Sequence, residues 1–141
     1  MVVRKDQAWS RARFAEERVA RLATVDADGR PHLVPIVFTP TEDGLATVVD
    51  GKPKAHQRLR RLANIRAHPE VSVLVDRYDD DWSRLWWARA DGTARIVDLD
   101  DESAAAALAA LTERYPQYRT NPPPGPLIAV TVHRWSGWSA S

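Results

Sequence analysis

Residues 21–38 read RLATVDADGRPHLVPIVF. Two β-prone runs, Leu22–Val25 and His32–Phe38, flank the dipeptide Asp28-Gly29. Glycine adopts positive φ without steric penalty, so Asp-Gly between two such runs predicts a β-hairpin. The neighbouring segments must then supply the rest of a sheet and whatever covers it.

Upstream, DQAWSRARFAEERVAR (6–21) predicts a helix. Ala12, Ala15, Val19 and Leu22 recur at spacings of three and four, with Glu16, Glu17, Arg18 and Arg21 on the polar side. Downstream, LATVVD (45–50) predicts a third strand after a turn at Glu42 to Gly44. Lys54 to Ala67 predicts a second helix, with Leu59, Leu62, Ala63 and Ile65 toward a core and His68-Pro69 ending it. VSVLVDRY (71–78) is a β-branched strand. LWWARADGTARIVDLD (85–100) carries a second Asp-Gly, at 91–92, which predicts another hairpin. Asp100 or Asp101 can cap the alanine-rich helix that follows, because a carboxylate satisfies free amides at a helix start. PQYRTNPPPGP (116–126) predicts an irregular loop, LIAVTVHRW (127–135) a last strand, and Trp135 and Trp138 a stretch beyond it. The expected fold is α+β: one domain over residues 1–141, with six or seven antiparallel strands in a small barrel and two or three covering helices.

Composition narrows the function. The chain has 141 residues, no cysteine and six tryptophans. Disulfides, thiolate nucleophiles and cysteine metal sites are therefore excluded. No run of eighteen apolar residues is present, so no membrane span is expected, and the start lacks an apolar signal core, which predicts a cytoplasmic location. The four histidines show no metal-ligand spacing, and Asp79, Asp80 and Asp81 read as a solvated loop. No nucleophile elbow, Walker loop or Rossmann glycine pattern occurs. Neither a catalytic side chain nor a metal ligand is assigned, so an enzyme built on this chain would depend on a cofactor.

Charge gives a positive signal. The segment from Asp50 to Pro69 holds six of the 20 basic residues and one of the 19 acidic ones: Lys52, Lys54, Arg58, Arg60, Arg61 and Arg66 against Asp50. It lacks the interspersed glutamates of an ion-paired helix face. It begins at a strand end, where Gly51 and Pro53 shape a turn and amides and side chains can converge on a phosphate. An anionic ligand is expected here. The rest of the chain is net acidic, which argues against nucleic acid.

The ordered pair A-T-V-x-x-D-G-x-P-x-x-x-P (23–35) and N-[IL]-R-x-x-P-x-V-S (64–72) resembles the flavin-binding split-barrel family. That family includes pyridoxamine 5′-phosphate oxidase-like proteins and the actinobacterial reductases that use coenzyme F420, a deazaflavin. The segments HRWSGW (133–138) and DxxWSRLWWxRxDGxA (79–94) resemble the deazaflavin branch more closely. The resemblance implies a Greek-key split barrel forming a homodimer, with the cofactor cleft shared between subunits. It implies hydride transfer to an unsaturated small molecule, with F420 as cofactor or FMN as the alternative; a non-enzymatic carrier is a further alternative. Arg61 falls where the family places a phosphate-binding lysine, three residues before the asparagine matched by Asn64. Pro35 and Ile36 lie in the strand whose backbone lines the ring. Lys52, Lys54 and Arg58 are assigned to the cofactor's anionic tail from charge. Strand alternation puts Trp86 and Trp87 on opposite faces. Trp86 is then expected in the core or a dimer interface, and Trp87, beside Leu85 and Arg89, walls a cofactor from the partner subunit. Tyr115, Tyr118 and Arg119 are candidates for a substrate-side lid.

Overall fold

A computed structural model describes residues 3–51 and 55–141, with residues 55–59 described by backbone alone. The elements in order are β1 (Val3–Lys5), α1 (Gln7–Glu16), β2 (Ala20–Val25), β3 (Pro31–Ile36), β4 (Thr39–Pro40), β5 (Gly44–Val48), α2 (Ala55–Ala67), β6 (Glu70–Arg77), β7 (Trp86–Val97), α3 (Ala105–Arg114), α4 (Gln117–Thr120) and β8 (Leu127–Ser139). All pairings are antiparallel. The sheet runs β3-β2-β6-β7-β8-β5-β4, and β1 adds to β8. This is the expected α+β split barrel. Among the described residues eight strands are present, because β1 and β4, at three and two residues, are too short to show alternation in sequence.

The 13-residue β8 closes the structure. It pairs with β7 along its length, with β5 through Leu127–Thr131 and with β1 through Gly137–Ser139. β7 takes one edge of β8, and β5 and β1 share the other at its two ends, so this one strand joins much of the sheet around a common core. Leu22, Val73, Val75, Ala88, Ala90 and Ile128 meet inside it, each fully buried. A second cluster, Val48, Val97, Leu111, Tyr115 and Leu127, lies under α3.

The two Asp-Gly dipeptides have different fates. At the first, Asp26 Oδ1 accepts from the backbone N–H groups of Asp28 and Arg30, each at 2.9 Å, and Gly29 takes φ 83°. The Arg30 bond leads the causes that hold the Asp26 carboxyl below its usual range. That turn is the predicted hairpin. The second is not a hairpin. Asp91 and Gly92 lie within the single twelve-residue strand β7, at a β-bulge against β8. β6 flanks β7 on one side and β8 on the other, so a reversal there has no room. A Cβ at Gly92 would collide with the Thr131 carbonyl oxygen; glycine is needed for close strand approach rather than for turning.

Helix α1 ends five residues earlier than expected, because the Arg114 guanidinium gathers carbonyls around its C-terminus. It donates to Phe38 O at 3.1 Å, to Ala15 O at 3.4 Å and to Glu17 O. Ser10 and Phe14 form its buried face, whereas Ala12 and Ala15 are exposed. Phe14 packs edge-on to Trp135 at 5.2 Å and Phe38 at 5.8 Å. Ser10 can sit close to β8 because Gly137 has no side chain; a Cβ there would lie 2.7 Å from Trp9. In α2, Leu62 and Ile65 are buried as expected, but Ala63 is exposed. Asp101 caps the 3₁₀ turn Glu102–Ala104 that leads into α3. The region predicted as an irregular loop contains the single turn α4, and β8 continues through Trp138.

Candidate functional site

Two parts of the fold carry the sequence-predicted residues. The first is the corner between α2 and β3. Asn64 is 3% exposed, and its Nδ2 donates to Thr24 Oγ1 on β2 at 3.0 Å. Thr24 is the register partner of His32 on β3. Arg61 lies one helical turn before Asn64, and its charge acts on His32. Asn64 therefore fixes the helix, and Arg60 and Arg61 lie near enough to His32 for their charges to act on it.

Both are short of hydrogen-bond partners. Arg61 Nε and His32 Nδ1 are buried, and neither has a partner among the described residues. Burial pushes the Arg61 guanidinium below its ordinary value, opposed by the charge of Asp50. Burial, then the charges of Arg60 and Arg61, push the His32 imidazole down. A buried donor without a partner is costly, so such atoms mark places where water or a ligand completes the structure. An anionic oxygen fits this donor set: the guanidinium donates through Nε and the imidazole through Nδ1–H. Sequence reading missed His32, whose one signal was its place after Pro31 in the hairpin.

Lys52 and Lys54 lie outside the described residues, and for Arg58 only the backbone is described. Pro35 is exposed, while the Ile36 side chain is 6% exposed and belongs to the core. Only the backbone at Ile36 can meet a ligand. β3 is the terminal strand of the sheet, so one of its edges has no strand partner among the described residues. Pro31 and Pro35 offer no N–H to an incoming strand, which discourages sheet extension and leaves that edge to small ligands.

The second part is the outer face of the sheet. Ala88 and Ala90 point into the core, so Trp87 and Arg89 point away from it, to the face opposite Asn64. Trp86 packs against the core and meets Trp9 edge-on at 6.0 Å. Trp87 lines an open cleft of about 1020 Å³ with residues of β1, β8 and the start of α1. Within one chain, Trp87 and the helix α2 that carries Arg61 therefore lie on opposite faces of the sheet. Tyr118 is half-buried against Tyr115 at 6.2 Å, and burial with the nearby Asp50 charge pushes its phenol up to about 12. Arg119 is exposed.

With the geometry in place, comparison with known proteins gives the class. The pyridoxamine 5′-phosphate oxidase family model matches residues 8–139, and the chain belongs to that family. It is similar to the heme oxygenase HutZ of Vibrio cholerae, at 25% identity over 103 residues covering 71% of this chain; the match spans about half (55%) of that protein's length. The crystal structure of HutZ, described as a heme storage protein, superposes with a TM-score of 0.71 at 20% identity, covering 92% of each chain. A FAD-binding protein from Mesorhizobium loti gives a TM-score of 0.79 at 20% identity, covering 100% of this chain and 99% of the other. A FAD-binding protein from Mycobacterium smegmatis gives 0.63 at 16% identity, covering 97% and 98%. At these identities the likeness to solved structures is one of fold. No described helix is long and apolar enough to cross a membrane.

Proposed function

We propose that this protein is a split-barrel oxidoreductase that binds a flavin-type cofactor and reduces or oxidises a small unsaturated molecule. The observation that carries the reading is the pair of buried, unpartnered polar atoms, Arg61 Nε and His32 Nδ1, at the edge of a strand on a flavin-family fold. In this reading Arg61 and His32 hold the cofactor's phosphate, and Asn64 keeps α2 in place through Thr24. Lys52, Lys54 and Arg58 extend the anion site along the basic run, and the backbone at Pro35 and Ile36 borders the ring. Trp87 reaches that ring from a second copy of the chain, which makes the working unit a homodimer in the cytoplasm. The cofactor, when bound, accepts or delivers hydride; the protein's own groups bind, orient and exclude water. The long basic run favours F420, whose phosphodiester and acidic tail are extended, over FMN with its compact phosphate.

The test is a set of parallel titrations with F420, FMN and hemin, followed by tryptophan fluorescence, with light scattering on the same samples. Saturable quenching by F420 from a dimer is the expected result. Quenching by FMN alone would move the protein to the flavin oxidases, and by hemin alone toward the chemistry named for HutZ. A monomer, or no quenching by any of the three, would overturn the shared-cleft reading.

A further inference from the structure

We infer that Asp50 is a charge-selecting residue of the Arg61 and His32 corner: its carboxylate weakens a doubly charged phosphate monoester there more than a singly charged phosphodiester. This role rests on the reading above, in which the corner holds a phosphate. Asp50 is the one acidic residue of the basic run that ends at Pro69. The fold sets its place from both sides. Val49, the residue before it, is 2% exposed and belongs to the core. Both backbone groups of Val49 are taken: its N–H donates to Pro126 O and its carbonyl accepts from Gly125 N, each at 3.1 Å. After Asp50, a Cβ added at Gly51 would lie 3.7 Å from Pro124 Cδ. The chain is thus held against residues 124–126 on either side of Asp50, and a short side chain on a fixed backbone has few places to go. Arg61 is anchored separately, through Asn64 and its 3.0 Å bond to Thr24.

Acid and base sit on different parts of the chain, yet Asp50 lies near enough to Arg61, and to Tyr118 on α4, for its charge to act on both. It does not use up the arginine. Arg61 Nε is buried without a partner among the described residues, so that donor is left for a ligand oxygen. Asp50 is half-buried, and a charge there is screened less than one in open water. An anion seated on Arg61 feels the carboxylate as a repulsion proportional to its own charge. A phosphate monoester carries close to two charges above its second pKa of about 6, whereas a phosphodiester carries one. Arg61 supplies affinity, and Asp50 sets how that affinity depends on ligand charge. F420 presents a phosphodiester and FMN a monoester, so the bias runs toward F420.

The test uses the full chain and two probes without a flavin ring, phenyl phosphate and its monomethyl ester. At about pH 8 the His32 imidazole is neutral, since its value lies below the ordinary 6.5, and its carbon-bound protons report binding in an NMR titration. In Asp50→Asn the diester should bind about threefold more tightly and the monoester about tenfold, because the repulsion removed doubles with ligand charge. Asp50→Glu keeps the charge and should keep the parent's ratio of affinities, whereas a merely structural Asp50 would move both probes alike. Asp50→Ser gives the same comparison where the asparagine variant does not fold. Equal gains for the two probes, or no gain, would overturn the charge selection. Failure of both probes to shift His32 in the parent would overturn it together with the phosphate reading of the corner. The expected gains in a protein that binds neither F420 nor FMN would uphold the charge selection and overturn the flavin assignment alone.

Discussion

Asn64 on α2 donates to Thr24 on β2 through a hydrogen bond of 3.0 Å between two buried side chains. The bond joins the basic helix to the barrel at the point where the hairpin strand β3 passes. It makes the position of Arg61 a consequence of barrel packing rather than of local helix propensity. Asn64→Ala should leave the Thr24 hydroxyl buried without a partner and lower stability by about 1–3 kcal/mol. Thr24→Val should show a similar loss, and a double-mutant cycle in urea should give a coupling of about 0.5 kcal/mol or more. A purely ligand-contacting Asn64 would give unchanged midpoints in the unliganded protein.

Arg61 tests the anion site. Its guanidinium is half-buried and its Nε has no partner among the described residues, so Arg61→Ala removes no described hydrogen bond through Nε. Melting should shift by a few degrees at most, while affinity for F420 falls about ten- to a hundredfold. Arg66→Ala, exposed at the end of α2, is the control and should change neither. Raised salt should weaken the parent's binding through screening. Parent affinity in Arg61→Ala would reduce the basic run to a solvated helix face.

His32 sets a pH dependence. Burial and two arginines depress its folded-state value below the ordinary 6.5. The neutral ring is therefore favoured in the fold. Its contribution to stability is fully present above pH 6.5 and is lost as pH falls through the depressed value. The carboxylates with depressed values, Asp26, Asp81 and Asp101, act below 3.8, a separate window. Melting temperature in the parent should drop more steeply from pH 7 to 5 than in His32→Gln. If the two profiles run parallel, His32 does not titrate within the fold as described.

The two Asp-Gly sites predict opposite glycine chemistry. Gly29 has positive φ and nothing within 4 Å of a would-be Cβ. Gly29→Asn should be close to neutral, since asparagine tolerates the left-handed region. Gly92→Ala should destabilise by about 1–3 kcal/mol or more, because the collision is with backbone that cannot move aside. Urea midpoints decide between them, and a mild Gly92→Ala would mean the bulge can relax.

By itself the sequence determined the local features whose causes lie within a few residues. The hairpin at Asp28-Gly29 was legible because Asp26 and Gly29 build the turn without help from elsewhere. The burial of Leu62 and Ile65 on α2 followed from spacing for the same reason, and an aspartate cap was legible before the alanine-rich segment, although Asp101 caps the 3₁₀ turn ahead of α3 and not the helix itself. The concentration of charge after Asp50 needed only counting. Tertiary structure decided what depends on neighbours distant in the chain. Whether Asp91-Gly92 turns or bulges depends on β6 and β8 occupying both sides of β7. Where α1 stops depends on Arg114, about a hundred residues away, taking its last carbonyls. The nearness of His32 to Arg60 and Arg61, and the pairing of Trp87 with Trp138, come from register and helix docking. Those are set by the packing of the whole barrel, because burial and close strand approach act between segments that the linear order keeps apart.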